Sequence, residues 1–231
     1  MGDRAEGPST RRYLTALIEG RDPKETSGAG NTNGSAMRVA PIGVKYHYDM
    51  AKCLEAAAAS SLPSHGSIPA VAAACAVAAA VSAGVHGGYS VNEVLNAAYE
   101  GALYGEARGA EITAPSVAKR IRVVERIVDE AGDAGIRAIL DEIVGVLGAS
   151  MFAYESVPLA LGAFYAVKGN GRDGVLAAIN AGDDADTNGA ICGNICGAYS
   201  GASAFPDIWK DRVQKTSCLD MKSMAEKLIA K

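Results

Sequence analysis

The residues best suited to chemistry form a short acidic turn near the end of the chain. Asp183, Asp184 and Asp186 lie within four residues, and Thr187 follows directly before an apolar stretch. Carboxylates this close repel one another, which costs stability unless a cation or hydrogen-bond donors compensate. Their hard oxygen atoms suit Mg²⁺, Ca²⁺ or Mn²⁺ better than zinc. The same turn could also be a helix N-terminus capped by Asp186 or Thr187. The two interpretations are compatible, and both stay open on these residues alone.

The segment after the acidic turn has a regular glycine pattern. Four glycines recur at every fourth position: Gly189, Gly193, Gly197 and Gly201. On a helix, this spacing places them in a single stripe along one face. Glycine in a helix costs about 0.5–1 kcal/mol relative to alanine. The pattern therefore predicts that another backbone packs closely on the stripe and holds the acidic turn rigidly.

A second candidate site is the polar loop over residues 20–36. Its centre, residues 27–35, is rich in glycine and asparagine, so its backbone N–H groups could point at a ligand. An ordinary connector is equally compatible with this composition. Further along, His65 follows a Pro-Ser turn and precedes an alanine-rich segment. It could contact a ligand or be an exposed loop histidine.

Composition predicts an all-α protein. Hydrophobic residues make up 49% of the 231 residues but aromatic residues only 6%, a profile typical of closely packed helices. This length predicts a single domain over residues 1–231. Ser90, Ser116 and Ser156 are candidate helix starts, and Gly84 is a candidate helix end. Glu155, beside Ser156, is interpreted as structural. Helical periodicity covers the following segments: 9–19, 45–60, 68–83, 91–107, 115–131, 134–149, 155–167, 172–180, 187–203 and two short helices in 206–230.

Charge and cysteine content exclude several classes of function. The net charge is −4 and the basic residues are dispersed, so no nucleic-acid-binding patch is expected. Five cysteines without a C-x-x-C pair predict reduced thiols in a cytoplasmic protein. The polar residues 1–6 predict no secretory signal. The alanine-rich residues 68–85 indicate a buried soluble helix rather than a membrane span. The histidines show no H-E-x-x-H spacing, which disfavours a zinc hydrolase.

Taken together, four motifs in this order resemble the ADP-ribosylglycohydrolase family. Residues 33–38 read N-G-S-A-M-R, similar to the N-G-x-A-M-R loop of the family, and His65 matches its loop histidine. Residues 155–160 match the element before the metal motif. Residues 182–187 read G-D-D-A-D-T, similar to the metal motif G-G-D-T-D-T, and a glycine-rich helix follows.

The resemblance implies an all-α fold with a cleft for two Mg²⁺ or Mn²⁺ ions. Asp184, Asp186 and Thr187 would be metal ligands, with the two carboxylates as catalytic groups. Arg38 would brace the loop, and His65 would contact the nucleotide. The substrate-binding loop would comprise Gly30, Asn31, Thr32, Asn33 and Gly34. The implied reaction is Mg²⁺-dependent hydrolysis of an N- or O-glycosidic ADP-ribosyl bond in a modified protein or a small molecule.

The sequence also departs from the family pattern. It contains neither the G-D-A-x-G element nor the T-D-D-T motif that supply the other metal ligands. We therefore expect an N-terminally shortened domain, equivalent to the C-terminal two-thirds of the family fold. The alternative to an enzyme is a non-catalytic ADP-ribose-binding or structural member, or one half of a split enzyme. A homo-oligomer or an N-terminal partner chain could cover the apolar faces left exposed.

Overall fold

A computed structural model describes residues 7–22 and 27–229, and these residues form helices joined by loops without a β-sheet. Two isolated bridges, between Thr32 and Phe152 and between Ser67 and Ala110, are the β-type pairings within them. The predicted all-α class is confirmed. The α-helices are α1 Pro8–Ile18, α2 Ala40–Lys45, α3 Met50–Ser61, α4 Ile68–His86, α5 Val91–Glu106, α6 Val117–Glu130, α7 Ile136–Leu147, α8 Ala153–Ala166, α9 Gly171–Asn180, α10 Ala185–Ser200, α11 Asp207–Ser217 and α12 Met221–Ile229.

Helix α4 is the centre of the fold. Every residue from Pro69 to Gly84 is buried, because small apolar side chains on all sides let neighbours pack around the whole helix. It is also the helix among the described residues that is long and apolar enough to cross a membrane. Since 89% of its most apolar window is buried inside the molecule, its composition is that of a core helix.

Close backbone packing occurs between α4 and α5. A Cβ atom added at Gly105 would lie 2.5 Å from Ala72 Cα, and one added at Gly101 would lie 2.6 Å from the Cys75 carbonyl oxygen. These contacts leave no room for a side chain, so glycine at both positions allows α5 to lie directly on the backbone of α4.

The glycine stripe of α10 has a different neighbour from the one predicted. A Cβ at Gly189 would lie 2.7 Å from Ile179 Cγ1, and one at Gly193 would lie 3.1 Å from Val175 Cγ2. Both neighbours are side chains of α9. Gly201 is the C-cap of α10, with φ +76°. The prediction of backbone contact is wrong here, because the missing glycine side chains make space for branched side chains.

Two predicted helix boundaries are also wrong, although others hold. Ser90 and Ser116 cap α5 and α6 by accepting backbone hydrogen bonds, as expected. Ser156, in contrast, lies inside α8, which begins at Ala153. Helix α4 continues past Gly84 and ends at His86.

Candidate functional site

The acidic turn lies between α9 and α10. Asp183 has φ +49° and is exposed, and Asp184 occupies the N-cap position of α10. The helix begins at Ala185, and no side chain caps it by a hydrogen bond. The predicted capping by Asp186 or Thr187 is therefore wrong, because both residues already lie within the first turn. Asp186 is exposed there, whereas Asp184 and Thr187 are half-buried.

The glycine- and asparagine-rich loop meets this acidic turn directly. Asn33 Nδ2 donates a hydrogen bond of 2.6 Å to Asp184 Oδ2, although the two residues are 151 positions apart. The Asn33 backbone N–H donates to the Met151 carbonyl at 2.9 Å, and the Ala153 N–H donates to the Asn31 carbonyl at 3.0 Å. The loop is thus anchored on the segment that begins α8, and through Asn33 it reaches the turn.

His65 packs against the same loop. Its side chain is only 4% exposed, and its Nε2 lies 3.1 Å from Thr32 Oγ1. A Cβ at Gly34 would lie 2.6 Å from the same nitrogen, so the absence of a side chain at Gly34 makes room for the imidazole. Gly30 is buried beside Ser64, the residue before the histidine. The interpretation of His65 as an exposed loop residue is therefore wrong.

The imidazole of His65 is neutral over the physiological pH range. Its pKa is lowered from 6.5 to about 4, chiefly by burial and to a smaller extent by the positive charges of Arg38 and Arg12. The Arg38 guanidinium donates to Ser64 Oγ at 2.9 Å, and that hydroxyl lies 2.8 Å from His65 Nδ1. Because Ser64 Oγ accepts from Arg38, its own hydrogen is available to Nδ1, which favours the tautomer with the proton on Nε2.

Arg38 braces the loop, as the family resemblance implies. Its guanidinium donates to the Gly34 carbonyl at 3.1 Å and to the Ser60 carbonyl at 3.2 Å. These contacts join the loop to the end of α3, where the turn containing His65 begins. The residue thus connects the two predicted substrate-binding elements.

The two residues at the start of α8 have distinct roles. The Glu155 carboxylate accepts hydrogen bonds from the Ser150 N–H at 3.1 Å and from the Ser150 hydroxyl at 2.7 Å, which confirms its structural interpretation. Ser156 is fully buried and hydrogen-bonds to Asn33 and Asn188. Sequence reasoning missed this role, and it did not single out Asn188 at all.

A signal for Asn188 was present in the helical spacing. Asn188 shares one buried face of α10 with Ile191, Cys192 and Ile195. A lone amide among apolar residues at this spacing indicates a buried hydrogen-bond network, because an unpartnered buried amide is costly.

The oxygen donors of the acidic turn could supply part of the ligand set of a hard divalent cation. Asp184, Asp186 and Thr187 offer two carboxylates and a hydroxyl at the start of one helix, and Mg²⁺ is commonly held by one or two carboxylates while it keeps several waters. Within residues 7–22 and 27–229, no group of three or more His, Cys, Asp or Glu side chains could hold a metal ion. These donors therefore suit a largely hydrated Mg²⁺ rather than a closed ligand cage.

The chain is similar to known proteins along most of its length. The sequence model of the ADP-ribosylglycohydrolase family matches residues 2–231. The chain is 29% identical over 223 residues to the uncharacterized protein YegU of Escherichia coli (strain K12), covering 96% of this chain and 66% of that protein. It is 30% identical over 214 residues to an uncharacterized protein of Archaeoglobus fulgidus, covering 93% of this chain and 64% of the relative. The chain thus spans slightly less than two thirds of the length of both relatives.

The family match covers both elements that meet at the site, the loop carrying Asn33 and the turn carrying Asp184. On the extent of this match, the chain belongs to the ADP-ribosylglycohydrolase family, a group of glycohydrolase-type enzymes.

Proposed function

We propose that this protein hydrolyses an N- or O-glycosidic ADP-ribosyl bond and releases ADP-ribose from a modified protein or a small molecule. The observation that carries the proposal is the 2.6 Å hydrogen bond between Asn33 and Asp184. It joins the element suited to bind a phosphorylated nucleotide to the element suited to bind a divalent cation. Family membership supports hydrolase chemistry at this site.

We assign the cation site to Asp184, Asp186 and Thr187, with Mg²⁺ or Mn²⁺ as the ion. A bound divalent ion supplies Lewis-acid polarisation of substrate oxygens and neutralises charge. The hydrogen bond from Asn33 fixes Asp184, so Asp184 is well suited to be a metal ligand, which must hold its position. Asp186 is exposed on the first turn of α10. Its carboxylate can accept a proton from the water that attacks the anomeric carbon as the bond to the acceptor breaks.

We assign substrate binding to Gly30, Asn31, Thr32, Asn33, Gly34 and His65. The neutral state of His65 determines how it can act. An uncharged imidazole offers one donor and one acceptor, and it does not attract phosphate charge. Both ring nitrogens already have partners in the protein, Nδ1 in the Ser64 hydroxyl and Nε2 in the Thr32 hydroxyl. His65 therefore supports nucleotide binding by holding Thr32 and the loop in place.

The test is ADP-ribose release by purified wild-type, D184N and D186N proteins, measured by chromatography. The substrates are ADP-ribosylated arginine and serine proteins and small ADP-ribosyl compounds, each with Mg²⁺. We expect both variants to lose turnover by a factor of at least about 10, the lower end of losses typical for groups that bind a catalytic metal or its ligands. D183N is the matched control, because Asp183 is exposed and asparagine tolerates its positive φ.

The control should retain wild-type turnover. Unchanged turnover in both D184N and D186N would refute the assignment of these carboxylates. Loss of turnover in D183N as well would indicate a general disturbance of the turn rather than loss of two specific ligands.

A second candidate function is ADP-ribose binding without turnover, either by this chain alone or as one half of a split enzyme. It is favoured because the described residues contain no cluster of three or more His, Cys, Asp or Glu side chains that could hold a metal ion. Calorimetry of Mg²⁺ binding with and without ADP-ribose separates the two functions. Tight Mg²⁺ binding that ADP-ribose strengthens supports the enzyme, within one chain or across a homo-oligomer. ADP-ribose binding with weak or no Mg²⁺ binding supports the non-catalytic candidate.

A further inference from the structure

A closed ring of hydrogen bonds surrounds the base of the acidic turn. Asn33 Nδ2 donates to Asp184 Oδ2 at 2.6 Å and to Ser156 Oγ at 2.9 Å. Ser156 Oγ donates to Asn188 Oδ1 at 2.6 Å, and Asn188 Nδ2 donates to the Ala149 carbonyl at 2.8 Å. The backbone N–H of Asp184 donates to that same carbonyl at 3.3 Å. The ring therefore holds both the backbone and the side chain of Asp184.

The chemistry of the ring allows one direction of donation. The Ala149 carbonyl can only accept, so the amide nitrogen of Asn188 faces it and the amide oxygen faces Ser156. The single hydroxyl hydrogen of Ser156 is then used for Asn188, and Ser156 must accept from Asn33. The remaining amide hydrogen of Asn33 points to Asp184. Each side chain in the ring thus fixes the orientation of the next.

Burial makes the ring rigid. Ser156 and Asn188 are fully buried, and Asn33 is 5% exposed. Removing one member leaves the neighbouring polar groups without partners in a place that water reaches poorly. The ring also joins four separate segments: the loop, the residues before α8, α8 itself and α10.

We propose that Ser156 and Asn188 are positioning residues that hold the loop and the acidic turn as one ligand-binding unit. They touch neither cation nor nucleotide. They act through Asn33, which fixes one oxygen of Asp184 and leaves the other carboxylate oxygen to a cation. This role rests on the proposed function, because the unit serves to bind Mg²⁺ and ADP-ribose together. Residues that orient metal ligands in this way typically change metal affinity about 10- to 100-fold when they are replaced.

The experiment compares wild type, S156A and S82A. Ser82 is the matched control because it is also a buried helical serine and belongs to α4, outside the ring. Calorimetry measures Mg²⁺ affinity with and without ADP-ribose, and hydrogen exchange measures protection of residues 30–35 and 182–187. We expect S156A to bind Mg²⁺ about 10- to 100-fold more weakly and to exchange faster in both segments. S82A should match wild type in each measurement.

A merely structural role for Ser156 would lower stability and speed exchange throughout the molecule, without weakening Mg²⁺ binding and without a larger effect in these two segments. Folded S156A with wild-type Mg²⁺ affinity and wild-type exchange in both segments would overturn the positioning role. If S156A does not fold, the milder S156C variant, which keeps the size of the side chain but weakens the hydrogen bonds, takes its place with the same expectations. If wild type itself binds neither Mg²⁺ nor ADP-ribose, the proposed function fails. In that case, hydrogen exchange of residues 30–35 in S156A still tests whether Ser156 couples the loop to the acidic turn. Faster exchange than in wild type supports this coupling, and unchanged exchange overturns it.

Discussion

The buried imidazole of His65 should make the protein less stable as the pH falls. The folded-state pKa is about 4, below the ordinary value of 6.5. Between these two pH values, the imidazole is protonated in the unfolded chain but remains neutral in the folded chain. Folding is therefore favoured above about pH 6.5, and this contribution is lost as the pH falls toward the folded-state pKa.

The magnitude follows from the difference of about 2.5 between the two pKa values. At 1.36 kcal/mol for each pKa unit, the full contribution is about 3.4 kcal/mol. Between about pH 7.5 and about pH 4.5 the linkage relation gives a loss of about 2.5 kcal/mol. Because the side chain is only 4% exposed, solvent screening reduces this value little.

Urea unfolding of wild type and H65Q at these two pH values tests the reasoning. Carboxylates also titrate in this range, but they are common to both proteins, so the difference between the two pH-dependent losses isolates His65. We expect wild type to lose about 2.5 kcal/mol more than H65Q as the pH falls. H86Q is the control for removing an imidazole, because His86 is exposed at the end of α4. If wild type and H65Q lose the same free energy of unfolding between these two pH values, the assignment of a buried neutral imidazole is refuted.

Two further predictions concern packing and thiol reactivity. G34A should lower the free energy of unfolding by about 1–3 kcal/mol, because the new methyl group would displace the buried His65 ring. In contrast, G145A in α7 has open space around it and should be neutral or stabilising by up to about 1 kcal/mol; equal destabilisation in a urea titration would contradict this reasoning. At about pH 8, a thiol reagent should label Cys218 alone in the native protein, since that residue is exposed while the other four cysteines are buried. Burial also raises the pKa of Cys53 to about 11, and rapid native labelling of a second cysteine in mass spectra would contradict the structure.

Local signals in the sequence predicted the helices well where a boundary depends on adjacent residues. Ser90 begins α5 through a capping box with Glu93, and both residues are visible in the sequence. Ser156 has the same residue type, yet it lies one turn inside α8. Its hydroxyl bonds to Asn33 and Asn188 instead of to its own helix end. The residue type alone cannot distinguish these two uses, because the partners of Ser156 come from other segments.

The sequence by itself determined the all-α class, the burial of α4 and the residue types available for a site. Alanine-rich composition and helical periodicity depend on neighbours within a few residues, so they can be read locally. Only the tertiary structure decided that Asn33 meets Asp184 across 151 positions, that His65 is buried, and that the glycine stripe of α10 receives side chains of α9. These contacts arise from the way whole helices pack, and packing depends on the combined shape of distant segments rather than on any one of them.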